Sequence, residues 1–150
     1  RVADPELRLI FASAGWLDAV VREVNAHADL GRALSGLGAD LAAVVERDSR
    51  HFPSGAAAWG RQESGRIVVW RMLEDEDDVL ELEPAYVVRA PLALWKDLLT
   101  GRADPVQAAL SGRVKVKGDL EGLVRRAGYR YILDEALRRV PTEFPDEVSG

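Results

Sequence analysis

The chain has 150 residues, 47% hydrophobic and 30% charged, the balance of an ordinary soluble domain whose core needs no metal or disulfide staple. It has no cysteine, which excludes thiol catalysis, disulfides and thiolate-bound zinc. A formal net charge of −5 argues against a general nucleic-acid binder, and no apolar stretch approaches the roughly 20 residues of a membrane span. The N-terminus lacks the charged, apolar and small-residue order of a signal peptide, so a cytoplasmic address is expected.

A single domain over 1–150 is expected, in three parts: N-terminal helices over 1–38, a sheet with inserted helices over 39–117, and a C-terminal helical region over 118–141. Asp4 and Pro5 read as cap and first residue of a helix carrying Leu7, Ile10, Phe11 and Ala14, interrupted at Gly15. A second helix follows, with Trp16, Leu17, Val20, Val21 and Val24 on one side. Gly31, Gly36 and Gly38 then predict a short helical turn and a loop.

From Ala39 the period changes. Strands around 40–48 and 56–63 form a hairpin across Pro53-Ser54-Gly55, and Ile67 to Leu73 adds a third strand after Ser64-Gly65. Both faces of that third strand are apolar, which predicts a cover on each, from a helix layer or a dimer partner. Residues 74–83 hold seven acids in ten and are expected on an exposed connection, because so many carboxylates resist burial together. Residues 85–90 form a fourth strand. Pro91 opens a helix with Leu92, Trp95, Leu98 and Leu99 on one face, ending at Gly101, and Asp104-Pro105 opens a short one through Val106, Ala109 and Leu110. Arg113 to Lys117 alternates as a half-exposed fifth strand. After Gly118 and the capping Asp119, one stripe holds Leu120, Leu123, Val124 and Ala127. A second holds Tyr129, Ile132, Leu133, Ala136, Leu137 and Val140, so a bend is expected near Gly128, with Pro141 and Pro145 ending regular structure.

Chemistry-bearing patterns are sparse. His27 and His51 have no ligand-spaced partner, and neither a nucleophile elbow nor a phosphate-binding loop occurs. The acidic run lacks the spacing and central glycine of a calcium loop. No catalytic residue, metal or cofactor is therefore expected. Residues 113–139 carry net +4 against −6 for 1–112, a polarity suited to anionic headgroups or an acidic partner, or simply to solvated strand and helix faces. Taken alone, the apolar residues of the C-terminal helices read as a packed core, and periodicity does not separate that from a hollow one.

The order of a helix ending Leu98-Leu-Thr-Gly101, then Asp104-Pro105, then Gly112-Arg-Val-Lys-Val-Lys-Gly-Asp119, resembles the sterol carrier protein type 2 family over about 30 residues. Ser13-Ala-Gly-Trp16-Leu with Asn25 also looks like bacterial members. The resemblance implies an α/β (α+β) fold: a mixed, mostly antiparallel five-stranded sheet with helices on one face, enclosing an apolar tunnel. It implies non-catalytic binding and carriage of an apolar lipid, whether fatty acyl chain, acyl thioester, sterol-like or isoprenoid. The alternative is an accessory domain that presents such a substrate to a partner enzyme. The implied lining is Trp95, Leu99, Val106, Leu110, Leu123, Val124, Tyr129 and Leu133, with Val44 and Val69 as floor. A transient membrane or enzyme contact and a homodimer stay open. The end at Gly150 carries no Ser-Lys-Leu-type peroxisomal address, which fits a bacterial cytoplasmic protein.

Overall fold

The computed structural model describes residues 9–27, 29, 40–119, 121 and 128–147, with the side chains of 128–131, 133 and 147 outside that description. The first helix starts later than its apolar spacing suggests. Ala12 takes a left-handed backbone (φ 67°), which no right-handed helix continues through. Ser13 then caps α1 (Ala14–Asn25), its Oγ accepting the Trp16 amide hydrogen at 3.2 Å and donating to the Ile10 carbonyl at 2.7 Å. Gly15 lies inside the first turn and does not interrupt it. Leu9–Ile10, expected as helix, forms a short strand β1. The proposed start at Asp4-Pro5 and the loop at 31–38 lie outside the described residues.

Three strands follow as the expected meander: β2 (Asp40–Val45), β3 (Ala56–Glu63) and β4 (Arg66–Leu73), paired antiparallel. The next strand, β5 (Tyr86–Ala90), pairs parallel with β2, and β6 (Lys115–Lys117) joins β5 antiparallel. The order is β4-β3-β2-β5-β6, the expected mixed and mostly antiparallel five-stranded sheet.

The crossover from β4 to β5 is not merely an exposed connection. It contains α2 (Asp78–Leu82), whose Val79 and Leu82 share a helical face and pack on Ala42, Val44, Ala57, Leu73 and Val87. The acids are exposed or paired: Asp75, Glu76 and Asp77 surround Arg47, and Glu76, with its side chain only 11% exposed, also reaches Arg89 at 3.5 Å. The Arg47 guanidinium is held above its ordinary range, chiefly by its hydrogen bond to Asp77.

The opposite, near face carries α1, α3 (Leu92–Leu99), α4 (Pro105–Leu110) and α5 (Gly128–Arg138). In α5 the second predicted stripe is internal, with Ile132, Ala136 and the following Val140 buried. Whether a bend precedes Gly128 falls outside the description. Pro141 does not end regular structure: β7 (Thr142–Glu143) pairs parallel with β1, and a 3-10 turn follows at Pro145–Glu147.

Two apolar faces on β4 have a local cause. Arg61 stands opposite Val69 and Gln62 opposite Ile67, so Val68 is an extra residue on β4. This bulge resets the two-residue alternation and brings Ile67, Trp70 and Met72 to the near face. Val68 is left 44% exposed.

At the bulge, Asn25 pairs with β4 as another strand would. Its Nδ2 donates to the Ile67 carbonyl at 2.9 Å and its Oδ1 accepts the Ile67 amide hydrogen at 3.0 Å. Asn25→Ala is expected to cost about 2 kcal/mol by urea denaturation, since both half-buried backbone groups lose their partner. A loss under about 0.5 kcal/mol would show the clamp to be replaceable by water.

Candidate functional site

Between the near face and α1, α3 and α5 the fold leaves a cavity of about 320 Å³. That volume is at the small end of ligand pockets. Alternation along the strands sets the floor: Leu41, Ala43 and Val45 of β2, Ala58 of β3, and Ile67, Trp70 and Met72 of β4. The stripe Leu17, Val20, Val21 and Val24 of α1 forms one wall, and Ile132 adds the contribution of α5. Small side chains at Ala43, Ala58 and Gly60 leave the space that larger ones would fill.

Four indoles line this space without making it polar. Trp16 Nε1–H donates to Thr142 Oγ1 at 3.0 Å, Trp59 to Asp40 Oδ2 at 2.9 Å, Trp70 to Asp18 Oδ1 at 2.7 Å, and Trp95 to the Val44 carbonyl at 2.8 Å. Each ring therefore satisfies its one donor in the wall and offers carbon to the interior.

Of the residues expected to line a tunnel, the structure brings together Trp95 and Leu99. Val44 is fully buried but on the far face, because β2 alternates and its neighbours Ala43 and Val45 face the cavity. Val69 is turned away for the same reason, its phase set by the bulge at Val68. Val106 is half-buried in α4, and Leu110 is 61% exposed. That helix buries Ala108 against Ala90, Leu94 and Val114, so it covers β5 and β6 rather than the cavity. Leu123 and Val124 lie outside the described residues. Tyr129 and Leu133 belong to α5, but their side chains lie outside the description, while Ile132 between them lines the cavity. Sequence reasoning missed the contributions of α1, Trp70 and Tyr86. The α1 stripe was legible as a buried face, but not what it faced.

His27 Nδ1 accepts the Asp29 amide hydrogen at 3.1 Å, which puts the ring proton on Nε2, 2.6 Å from Glu135 Oε2. This contact ties the end of α1 to α5. Among the described residues no group of three or more His, Asp or Glu is placed to hold a metal ion. No described helix is long and apolar enough to cross a membrane.

The family model of the SCP-2 sterol transfer family matches residues 64–126, which includes the helix, Asp-Pro turn and fifth strand that carried the resemblance. Among solved structures, a sterol carrier protein 2 is similar with 25% identity and a TM-score of 0.72, covering 87% of this chain and 98% of that one. A conserved hypothetical protein from Thermus thermophilus, described as possibly a sterol carrier protein, is similar with 26% identity and a TM-score of 0.73, covering 98% and 97%. The fold also recurs in a UbiJ-SCP2 ubiquinone synthesis protein at 17% identity and a TM-score of 0.51, covering 81% and 88%. No curated protein matches the chain.

Proposed function

We propose that the chain binds and carries an apolar lipid without chemical change, because residues 64–126 match the model of the SCP-2 sterol transfer family and the chain folds as sterol carrier protein 2 does. The observation that carries this reading is the near-face cavity, whose indole donors are all satisfied in its walls. The bound molecule is a fatty acyl chain, acyl thioester, sterol-like lipid or isoprenoid. Each methylene moved from water into such a space contributes about 0.8 kcal/mol, so affinity rises with apolar length and needs few polar contacts. Trp95 and Leu99 are the lining residues we assign from the sequence, joined by Trp16, Val20, Trp70 and Met72.

The test is native mass spectrometry of the purified protein, then organic extraction and identification of what leaves it. Titration with palmitic acid, read by intrinsic tryptophan fluorescence, follows. A stoichiometric lipid, or a saturable change from the four indoles around the cavity, is expected. A protein that emerges empty and gives no saturable response to fatty acid, sterol or isoprenoid would remove the reading.

A second reading is that the chain presents its lipid to a partner enzyme, which the occurrence of this fold in a ubiquinone synthesis protein favours. Crosslinking in cells should then recover an enzyme acting on the same lipid that extraction identifies. Recovery of none leaves the simple carrier.

A further inference from the structure

The cavity is not uniform along its length. At the end formed by Phe11, Trp16 and Trp95 every described donor is satisfied, but the other end is lined by Asp40, Arg61, Gln62 and Tyr86. Asp40 accepts from Trp59 Nε1–H and the Ala85 amide, and Arg61 stands 3.6 Å from Glu63, which leaves Gln62 and Tyr86 to be accounted for. The strand register places these two there: Tyr86 stands opposite Leu41 at the start of β2, and Gln62 lies one residue beyond Arg61, the partner of Asp40.

Tyr86 is 7% exposed, and its hydroxyl has no hydrogen-bond partner among the described residues. Yet no described buried polar atom is sealed off without a partner, so this hydroxyl borders open space. Gln62 is half-buried, and the Gly65 amide hydrogen donates to its Oε1 at 3.0 Å. Because an N–H requires an oxygen, that bond fixes which way the carboxamide is turned and leaves the NH₂ with no partner among the described residues. Leaving donors unpaired in a largely apolar space is costly, and a ligand oxygen that accepts from them removes that cost.

We propose that the cavity takes a single-chain lipid with an oxygen-acceptor head, a carboxyl or ester carbonyl, and binds it in one direction. Resting on the lipid-carrier reading, this inference deepens it. The head accepts from the Gln62 amide and the Tyr86 hydroxyl, and the chain runs along β2 toward Trp16 and Trp95. The ligand is thus selected as an amphiphile and not only by apolar volume.

The test compares palmitic acid, methyl palmitate and hexadecane, equal in chain length, on the wild type and on Gln62→Leu and Tyr86→Phe. Both substitutions nearly conserve volume. Each is expected to weaken palmitic acid and methyl palmitate about tenfold, the worth of one hydrogen bond, while hexadecane binds as before or more tightly. If only palmitic acid is weakened, the head is a carboxylate, and if both oxygen-bearing ligands are, a carbonyl suffices. Variants that bind all three as the wild type does, or lose all three equally, overturn the inference and leave the carrier reading standing. Failure of the wild type to bind any of the three overturns both. Thermal unfolding of each variant within about 2 °C of the wild type identifies a folded protein. If Tyr86→Phe is destabilised, Gln62→Leu and Gln62→Glu, which removes the donor while keeping the shape, decide the matter.

Discussion

Replacing Ala43 by phenylalanine is expected to weaken binding of a long-chain fatty acid by on the order of 100-fold while leaving the chain folded. Ala43 sits at the middle of β2, opposite Ala58 of β3 and beside Val88 of β5, and its side chain faces the cavity. A phenyl ring there enters empty space, so the fold loses nothing by overpacking. The ligand gives up the volume of about three or four methylenes, at about 0.8 kcal/mol each, and tenfold in affinity corresponds to about 1.4 kcal/mol. The adjacent residue makes the control. Ala42 is completely buried on the far face among Val44, Ala57 and Val79. Ala42→Phe should therefore cost about 1–3 kcal/mol of stability by overpacking, with binding by the folded fraction little changed. Fluorescence titration and urea denaturation of both variants separate the two effects. Similar losses of stability in both would mean that the space above Ala43 is filled by protein.

The second large effect is expected at Gly118. Its backbone lies at φ 123°, and a Cβ there would stand 2.7 Å from the Ala85 carbonyl oxygen and 2.8 Å from Tyr86 Cδ1. The first of these neighbours is backbone and cannot swing aside. Gly118→Ala combines left-handed strain with a clash, and should cost about 2–4 kcal/mol in urea denaturation. Gly112 is the comparison, with φ 79° and nothing within 4 Å of a Cβ. Gly112→Ala should cost about 1 kcal/mol, from backbone conformation alone. Equal losses at the two sites would show that the approach of Ala85 and Tyr86 to Gly118 is not what requires glycine there. The two glycines look alike in the sequence motif. Only one is enforced by a neighbour, and that neighbour, Tyr86, lines the cavity.

Elements specified by nearby residues were legible. The hairpin of β2 and β3, the strand at Ile67 to Leu73, the helix after Pro91 and the alternating strand at Lys115–Lys117 each follow from local turn chemistry and periodicity. The misread elements depend on partners far along the chain. Leu9–Ile10 has helical spacing with Phe11 and Ala14, but its partner is Thr142–Glu143. Val79 and Leu82 are two apolar residues in an acidic run, and they become helix because Ala42, Val44 and Ala57 need a cover.

The candidate site was harder to read than the fold for a related reason. Where both faces of a strand are apolar, the sequence does not say which alternate residues face which layer. Val44 was expected in the floor in place of Ala43, and Val69 in place of Trp70, each displaced by one residue. A one-residue change of phase inverts a strand, and the bulge that sets the phase of β4 arises only from its pairing with β3.

By itself, the sequence determined the apolar stripes, the turns and caps between them, and the motif around residues 98–119 that points to one family. Those are properties of residues within one or two turns of each other, and they act before the chain is compact. Only the tertiary structure decided that β5 lies between β2 and β6, parallel to the first and antiparallel to the second, that the α1 stripe faces Ala43, Ala58 and Trp70 across unfilled space, and that Gln62 and Tyr86 border one end of it. Whether apolar surfaces meet or stand apart depends on where their backbones are held, and in this chain pairings between distant strands hold them.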